Sequence, residues 1–271
     1  MRYDFSKEIE AKEFSIEFYR EIDERFFSDV KTFMPWKRVP FDPLIDFDSL
    51  HSKDVLEIGV GNGSHAQLIS SFARSYTGID LTEYAVRSTT KRLQHLEGNQ
   101  PHGKVSRMDA ENMSFPDNSF DLIWSWGVIH HSANTRKIVE EIHRVLRPGG
   151  VAITMVYYRN LWNYYLVAGL CGGIFKGTWW RTRSLHQVRQ HCIDGAVARY
   201  YTIPEWNGLV SDLFSVEEVR IYGSKSELIP LPAGRVKAVV KSVIPNNFGR
   251  LLTNRCRMGM FLVSTLKNRY K

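Results

Sequence analysis

Cysteine is scarce in this 271-residue chain, and no apolar run is long. The three cysteines, Cys171, Cys192 and Cys256, are odd in number, far apart and without a Cys-x-x-Cys spacing. That pattern excludes a disulfide framework and gives no support to a structural zinc site, so a reduced, cytoplasmic compartment is expected. The longest apolar stretch, Tyr164 to Phe175, is twelve residues and holds three glycines, whereas a membrane span needs about 20. The opening Met-Arg-Tyr-Asp-Phe-Ser-Lys-Glu turns acidic at once, unlike a secretory leader. Acidic residues are missing from one long segment. Leu228 to Lys271 carries nine basic residues and no acidic one, while everything before it nets −2 of the overall +7. An anionic partner should therefore meet the second half.

Ordinary composition, 43% hydrophobic and 24% charged, suits one α/β domain with additions or at most two small domains. Residues 5–34 read as an amphipathic helix with an aromatic stripe, and Pro35, Pro40 and Pro43 predict a stiff extended connector over Trp36 to Phe47. From Lys53, short β-branched runs alternate with helical patterns. Strands are expected at Val55–Ile58, Tyr76–Asp80, Lys104–Met108, Asp121–Trp126 and Val151–Tyr157, and helices at Ser64–Phe72, Thr82–Leu96 and Thr135–Leu146, the last with Glu140 and Arg144 as an i,i+4 pair. Strict alternation means right-handed crossovers and a doubly wound, mostly parallel sheet, which binds ligands beyond the carboxyl ends of its strands. The rhythm is lost after Tyr158 for about forty residues dense in Tyr and Trp. It returns with a helix near Pro204–Leu213 and strands at Val216–Tyr222 and Gly259–Leu266.

The segment Val55-Leu56-Glu57-Ile58-Gly59-Val60-Gly61-Asn62-Gly63-Ser64 is a strand entering a glycine turn that opens a helix. Alone it is a weak signal, because dinucleotide folds use a similar turn. Three acids sharpen it. Glu57 would repel a pyrophosphate but can neutralise or hydrogen-bond a cationic amino group. Asp80 can accept both hydroxyls of a ribose, and Asp109 can accept from an adenine amine. A ligand with adenosine at one end and an ammonium-bearing amino acid at the other satisfies all three.

These segments, with Gly78-Ile79-Asp80-Leu81-Thr82, the stretch Asp109–Asp121 and Glu141-Ile142-His143-Arg144-Val145-Leu146-Arg147-Pro148-Gly149-Gly150, resemble class I S-adenosylmethionine-dependent methyltransferases. The similarity is to the type 11 group that includes ubiquinone- and menaquinone-biosynthesis enzymes, and it covers about residues 50–157. It implies a seven-stranded Rossmann-like sheet of order 3-2-1-4-5-7-6 with the last strand antiparallel. The chain then divides into an N-terminal helical cover and connector (1–50), a cofactor-binding core (51–158), an aromatic and basic insertion serving as acceptor lid (159–203) and a C-terminal part of the sheet with a basic segment (204–271). By the same resemblance Glu57, Gly59, Gly61 and Gly63 form the methionine-side loop. Asp80 holds the ribose, Leu81 packs on the adenine, Asp109 and Ala110 hold its edge, and Trp126 and Gly127 line the sulfonium side. The N-terminal helix would reach the cofactor through Tyr3, Tyr19 or Trp36.

Each residue also has a plainer reading: Asp80 can cap the next helix, and Trp126 can be core. Methyl transfer needs no metal, and it needs a general base only when the nucleophile arrives protonated. His131, His130 and Tyr157 are the candidates, against packing roles for all three. Tyr158, Arg183 and His186 are candidates for acceptor contact. The expected reaction is O- or N-methylation of a small molecule such as a sugar, quinone or secondary metabolite. Nucleic acid is disfavoured, because no Asn-Pro-Pro-Tyr-like motif or appended recognition domain is present. Contact with a lipid surface through Gly234–Ile244 remains open, as does S-adenosylmethionine-dependent cyclisation.

Overall fold

The computed structural model describes residues 15–95, 103–174, 177, 198–231 and 234–269. Arg183 and His186 lie outside them, as do Tyr3, Trp179, Trp180 and His191. Strands β1 (Asp54–Ile58), β2 (Ser75–Asp80), β3 (Gly103–Arg107), β4 (Phe120–Trp126) and β5 (Leu146–Tyr158) run parallel. β7 (Phe214–Tyr222) and β8 (Phe261–Asn268) complete the order β3-β2-β1-β4-β5-β8-β7, with β8 antiparallel to both neighbours. The sheet is thus doubly wound, as the motifs imply. It has one strand more than expected: β6 (Tyr200–Tyr201) pairs with Tyr157 and Tyr158, just past Met155 where β4 ends.

Helix α1 (Ile16–Phe33) is capped by Ser15, and α2 (Ser64–Ser70), α3 (Glu83–Gln94) and α4 (Thr135–Val145) follow β1, β2 and β4. Thr82 and Asn134 cap α3 and α4 with their side chains. α5 (Ile203–Val210) begins with a reciprocal Thr202/Glu205 cap. Two cores sandwich the sheet. Leu56, Ile123 and Val156 face Ile142 and Trp206 on one side, and Val55, Trp124 and Ile153 face Val30, Phe33 and Phe41 on the other.

Two local expectations fail for identifiable reasons. The connector is not extended: Asp42 accepts from the backbone N–H of Lys37 and Arg38 at 2.9 and 2.8 Å, folding it into turns that bury Phe41 against Trp124 and Trp126. Arg144 does not pair with Glu140. Its guanidinium donates to Glu141, Asp117 and the carbonyls of Met113 and Phe115, while Glu140 takes Arg136. Arg144 thereby clasps the loop before β4. Arg147 bridges Asp54 and Asp121 at the opposite end of the strands from the glycine turn.

Candidate functional site

Gly59, Gly61 and Gly63 all have positive φ (83°, 52° and 80°), so the turn after β1 depends on glycine. Neighbouring strands pin it. Gly59 donates to Ile79 O at 2.7 Å, Ser125 Oγ donates to Ile58 O, and Thr89 Oγ1 donates to Gly61 O at 3.0 Å. Asp80 closes the set, with Oδ2 accepting from Gly61 N at 3.3 Å and Oδ1 from Thr82 N and Oγ1 at 2.9 Å. Asp80 therefore does not cap α3, whose N-cap is Thr82; it braces that cap and the glycine turn from its place on the cavity.

The turn separates two cavities that both include Gly59. One, of about 420 Å³, lies at the point where strand order reverses and is lined by Asp80, Leu81, Asp109, Ala110, Glu111 and His131 among others. The second, of about 690 Å³, lies between the turn and α1, with Phe26, His65, Trp126, Glu227, Lys241 and Phe261 in its wall. Leu81 is 62% exposed, an unburied apolar side chain at the rim of the smaller cavity. Asp109 Oδ1 accepts from Glu111 N at 2.8 Å. Glu111 Oε1 in turn accepts from Ser132 Oγ and Asn134 N, so it ties the cavity floor to the loop that carries His131, and these bonds hold its carboxyl below the usual range.

Beneath the turn, Glu57 is fully buried and accepts from Tyr76 Oη at 2.6 Å. Burial pushes its carboxyl up to about 8, and the same burial with the Glu57 contact raises the Tyr76 phenol. His65 Nδ1 accepts from Trp124 Nε1 at 3.2 Å, and burial takes that imidazole down to about 3. Burial disfavours the charged form of both groups, which opposes an ion pair at the 3.8 Å approach of His65 to Glu57. A buried acid that keeps its proton stabilises the fold below the ordinary carboxyl range and loses that contribution as pH rises through about 8. Glu57→Gln should accordingly flatten the decline between pH 5 and 8, by on the order of 1 kcal/mol per pH unit. Denaturant titrations at the two pH values check this; equal slopes in both proteins would show that Glu57 is ionised in the fold.

Several expected residues are placed apart. His130 is buried with its ring 4.0 Å from Tyr157 and 4.2 Å from His131, and burial drives its imidazole well below the usual value; it lines neither cavity. Tyr157 packs between His130 and Tyr200. Tyr158, on the opposite face as strand alternation requires, packs against the core that contains Trp206. Trp126 stacks on Trp124 at 5.4 Å, as its packing reading expects, and lines the larger cavity, not the smaller one that holds Asp80 and Asp109. Gly127 has φ 76°. α1 reaches the turn through Ile22, Phe26 and Val30. Tyr19 instead donates to Ser88 O, and Trp36 lies under Lys31.

Two residues escaped the sequence reading. His65, one position into α2, carries a buried Nε2 with no hydrogen-bond partner among the described residues. Arg92, only 2% exposed, donates to Gln67 Oε1, Asn62 O and Asp23, joining α1, α3 and the glycine turn. An arginine in the last turn of a polar helix gives no hint of burial.

The methyltransferase domain family matches residues 56–154, which hold the turn and all three acids. This stretch is a class I methyltransferase domain. Within it the chain is 36% identical over 103 residues to the phthiotriol/phenolphthiotriol dimycocerosates methyltransferase of Mycobacterium tuberculosis, a match covering 37% of this chain and 36% of that protein. The matched stretch is thus little more than a third of that relative's length. A solved S-adenosylmethionine-dependent methyltransferase from Methanosarcina mazei superposes with TM-score 0.57, 20% identity and coverage of 84% of this chain and 98% of that one. The [4+2]-cyclase SpnF superposes with TM-score 0.52 at 14% identity, covering 81% and 76%. These structural likenesses establish the fold alone. S-adenosylmethionine is the cofactor of the methyltransferase domain family, and the residues fit it: a carboxylate pair on a cavity of suitable volume, and a glycine turn whose Gly61 would give an added Cβ no neighbour within 4 Å.

Proposed function

We propose that this chain transfers a methyl group from S-adenosylmethionine to an oxygen or nitrogen of a small acceptor. Two cavities meeting at Gly59 carry this reading, one walled by carboxylates and the other by aromatic rings. Bound S-adenosylmethionine supplies an activated methyl on a cationic sulfur, which leaves the protein to position and to exclude water. Asp80 accepts the ribose hydroxyls, Leu81 covers the adenine, and Asp109 with Ala110 takes its edge. Gly59, Gly61 and Gly63 admit the methionine end close to the backbone, above Glu57. Trp126 and Gly127 bound the sulfur side. The acceptor sits in the larger cavity, where Phe26, Val30, Phe33 and Phe261 suit an apolar body and Glu227 a polar end.

Calorimetric titration with S-adenosylmethionine and S-adenosylhomocysteine tests the reading: both should bind, and a folded protein that binds neither would overturn it. For a hydroxyl acceptor we take His131 as the base, since it lines the smaller cavity together with Gly59, where the two cavities meet, whereas His130 is buried and lines neither. His131→Ala should lower kcat at least about tenfold with cofactor affinity unchanged. A loss of cofactor affinity with kcat intact would make His131 a wall of the cofactor cavity instead.

A further inference from the structure

Helix α6 (Arg235–Val243) buries none of its residues. Val236, Val239, Val240 and Val243 are 69, 62, 38 and 75% exposed and follow i, i+3, i+4, i+7 spacing, which sets them in one stripe. Arg235, Lys237 and Lys241 share the helix, and Phe248 and Leu251 just beyond it are also exposed. A second apolar surface, Leu161, Tyr165 and Leu166, belongs to the helical segment Leu161–Ile174. Both are fastened to one short helix, Lys225–Leu228. Lys225 Nζ donates to Ile244 O at the end of α6, and Asn163 Nδ2 donates to Glu227 from the other side. Ser226, Glu227 and Lys241 also line the larger cavity. The helix that carries the exposed valines thus contributes one residue, Lys241, which pairs with Asp29 at 3.6 Å, to the mouth of the proposed acceptor site, while the valines face away from the fold.

We propose that α6 is an interfacial helix that seats this mouth on an anionic phospholipid bilayer. The stripe inserts among acyl chains while the cations remain at the headgroups. Charge selects this occupant over a second copy of the chain. An isologous pairing would lay one acid-free basic segment against another, whereas each Lys or Arg near an anionic leaflet is attracted. Nucleic acid would use the cations and leave four valines in water.

The experiment is co-sedimentation of the full chain with vesicles of pure phosphatidylcholine and of phosphatidylcholine mixed with phosphatidylglycerol. Binding is expected only to the mixed vesicles and should weaken with salt. Val236→Ser/Val239→Ser/Val243→Ser should reduce the bound fraction about tenfold or more, and Arg235→Gln/Lys237→Gln should reduce it less. Because these side chains are exposed, melting temperature and calorimetric binding of S-adenosylmethionine should not move in either variant. Val243→Asp, at the most exposed position, is the single-site check and should give the same loss. Retained binding in the triple variant, equal binding to both vesicles, or none to either would overturn the proposal. So would a dimer in gel filtration that the triple variant dissolves, which would give the stripe to a second copy. None of these readouts depends on methyl transfer, so a failure here leaves the proposed reaction untouched.

Discussion

Replacing Asp80 with alanine is expected to weaken S-adenosylmethionine binding by more than about a hundredfold while the chain stays folded. Asp80 ends β2 on the rim of the 420 Å³ cavity, and one carboxylate serves three tasks there. It accepts from Thr82, the cap of α3, holds Gly61 N in place, and, in the proposed reading, keeps lone pairs for the two hydroxyls of a ribose. A hydrogen bond to a charged group contributes roughly 1.5–3 kcal/mol, so losing two exceeds a factor of a hundred, about 2.7 kcal/mol. The stability loss should be smaller, because Thr82 Oγ1 still accepts from Ala85 N at 3.3 Å. Asp80→Asn separates the tasks, since its amide oxygen can still accept from Thr82 but the charged acceptor is gone. Near wild-type affinity in the alanine variant would reduce Asp80 to a brace for the glycine turn and for Thr82.

What the sequence disclosed follows from how local its signals are. Strands β1 and β5 carry β-branched residues beside glycine, and the strand order came with the resemblance of the four motifs, each lying at a strand end or on α4. Glu57 could be singled out because an acid before a glycine turn is chemically awkward, yet its proton is held by burial and by Tyr76, nineteen residues away. Arg92 and His65 are invisible for the same reason. Their partners, Asp23 and Trp124, come from other elements, and nothing within one turn of helix announces them. The Arg144 pairing was misread because helix spacing permits Glu140, while carbonyls of a loop three decades earlier in the chain compete for the same guanidinium and are better placed. The valine stripe of α6 was legible as a pattern. Its exposure was not, since amphipathic spacing says only that one face is apolar and leaves open what covers it.

Gly59→Ala should destabilise the fold by about 2–5 kcal/mol, the largest stability loss expected of any change in the glycine turn. At φ 83° an alanine pays left-handed strain, and its Cβ would stand 2.1 Å from Val128 Cγ2 and 2.8 Å from Cγ1. Val128 cannot swing clear, because a β-branched side chain has few χ1 options and its backbone carbonyl accepts from His131 N at 2.9 Å. The methyl group would therefore push the loop after β4 away from the turn and distort both cavities at their shared residue. Gly61→Ala is the contrast. Its φ of 52° is left-handed as well, but no atom lies within 4 Å of the new Cβ, so the expected cost is only about 1–2 kcal/mol. Denaturant unfolding of the two variants measures the difference directly. Val128→Ala in the Gly59→Ala background should recover about 1–3 kcal/mol by removing the clash and leaving the strain. Equal losses at Gly59 and Gly61, with no recovery from Val128→Ala, would mean that backbone conformation alone requires these glycines and that Val128 has room to move.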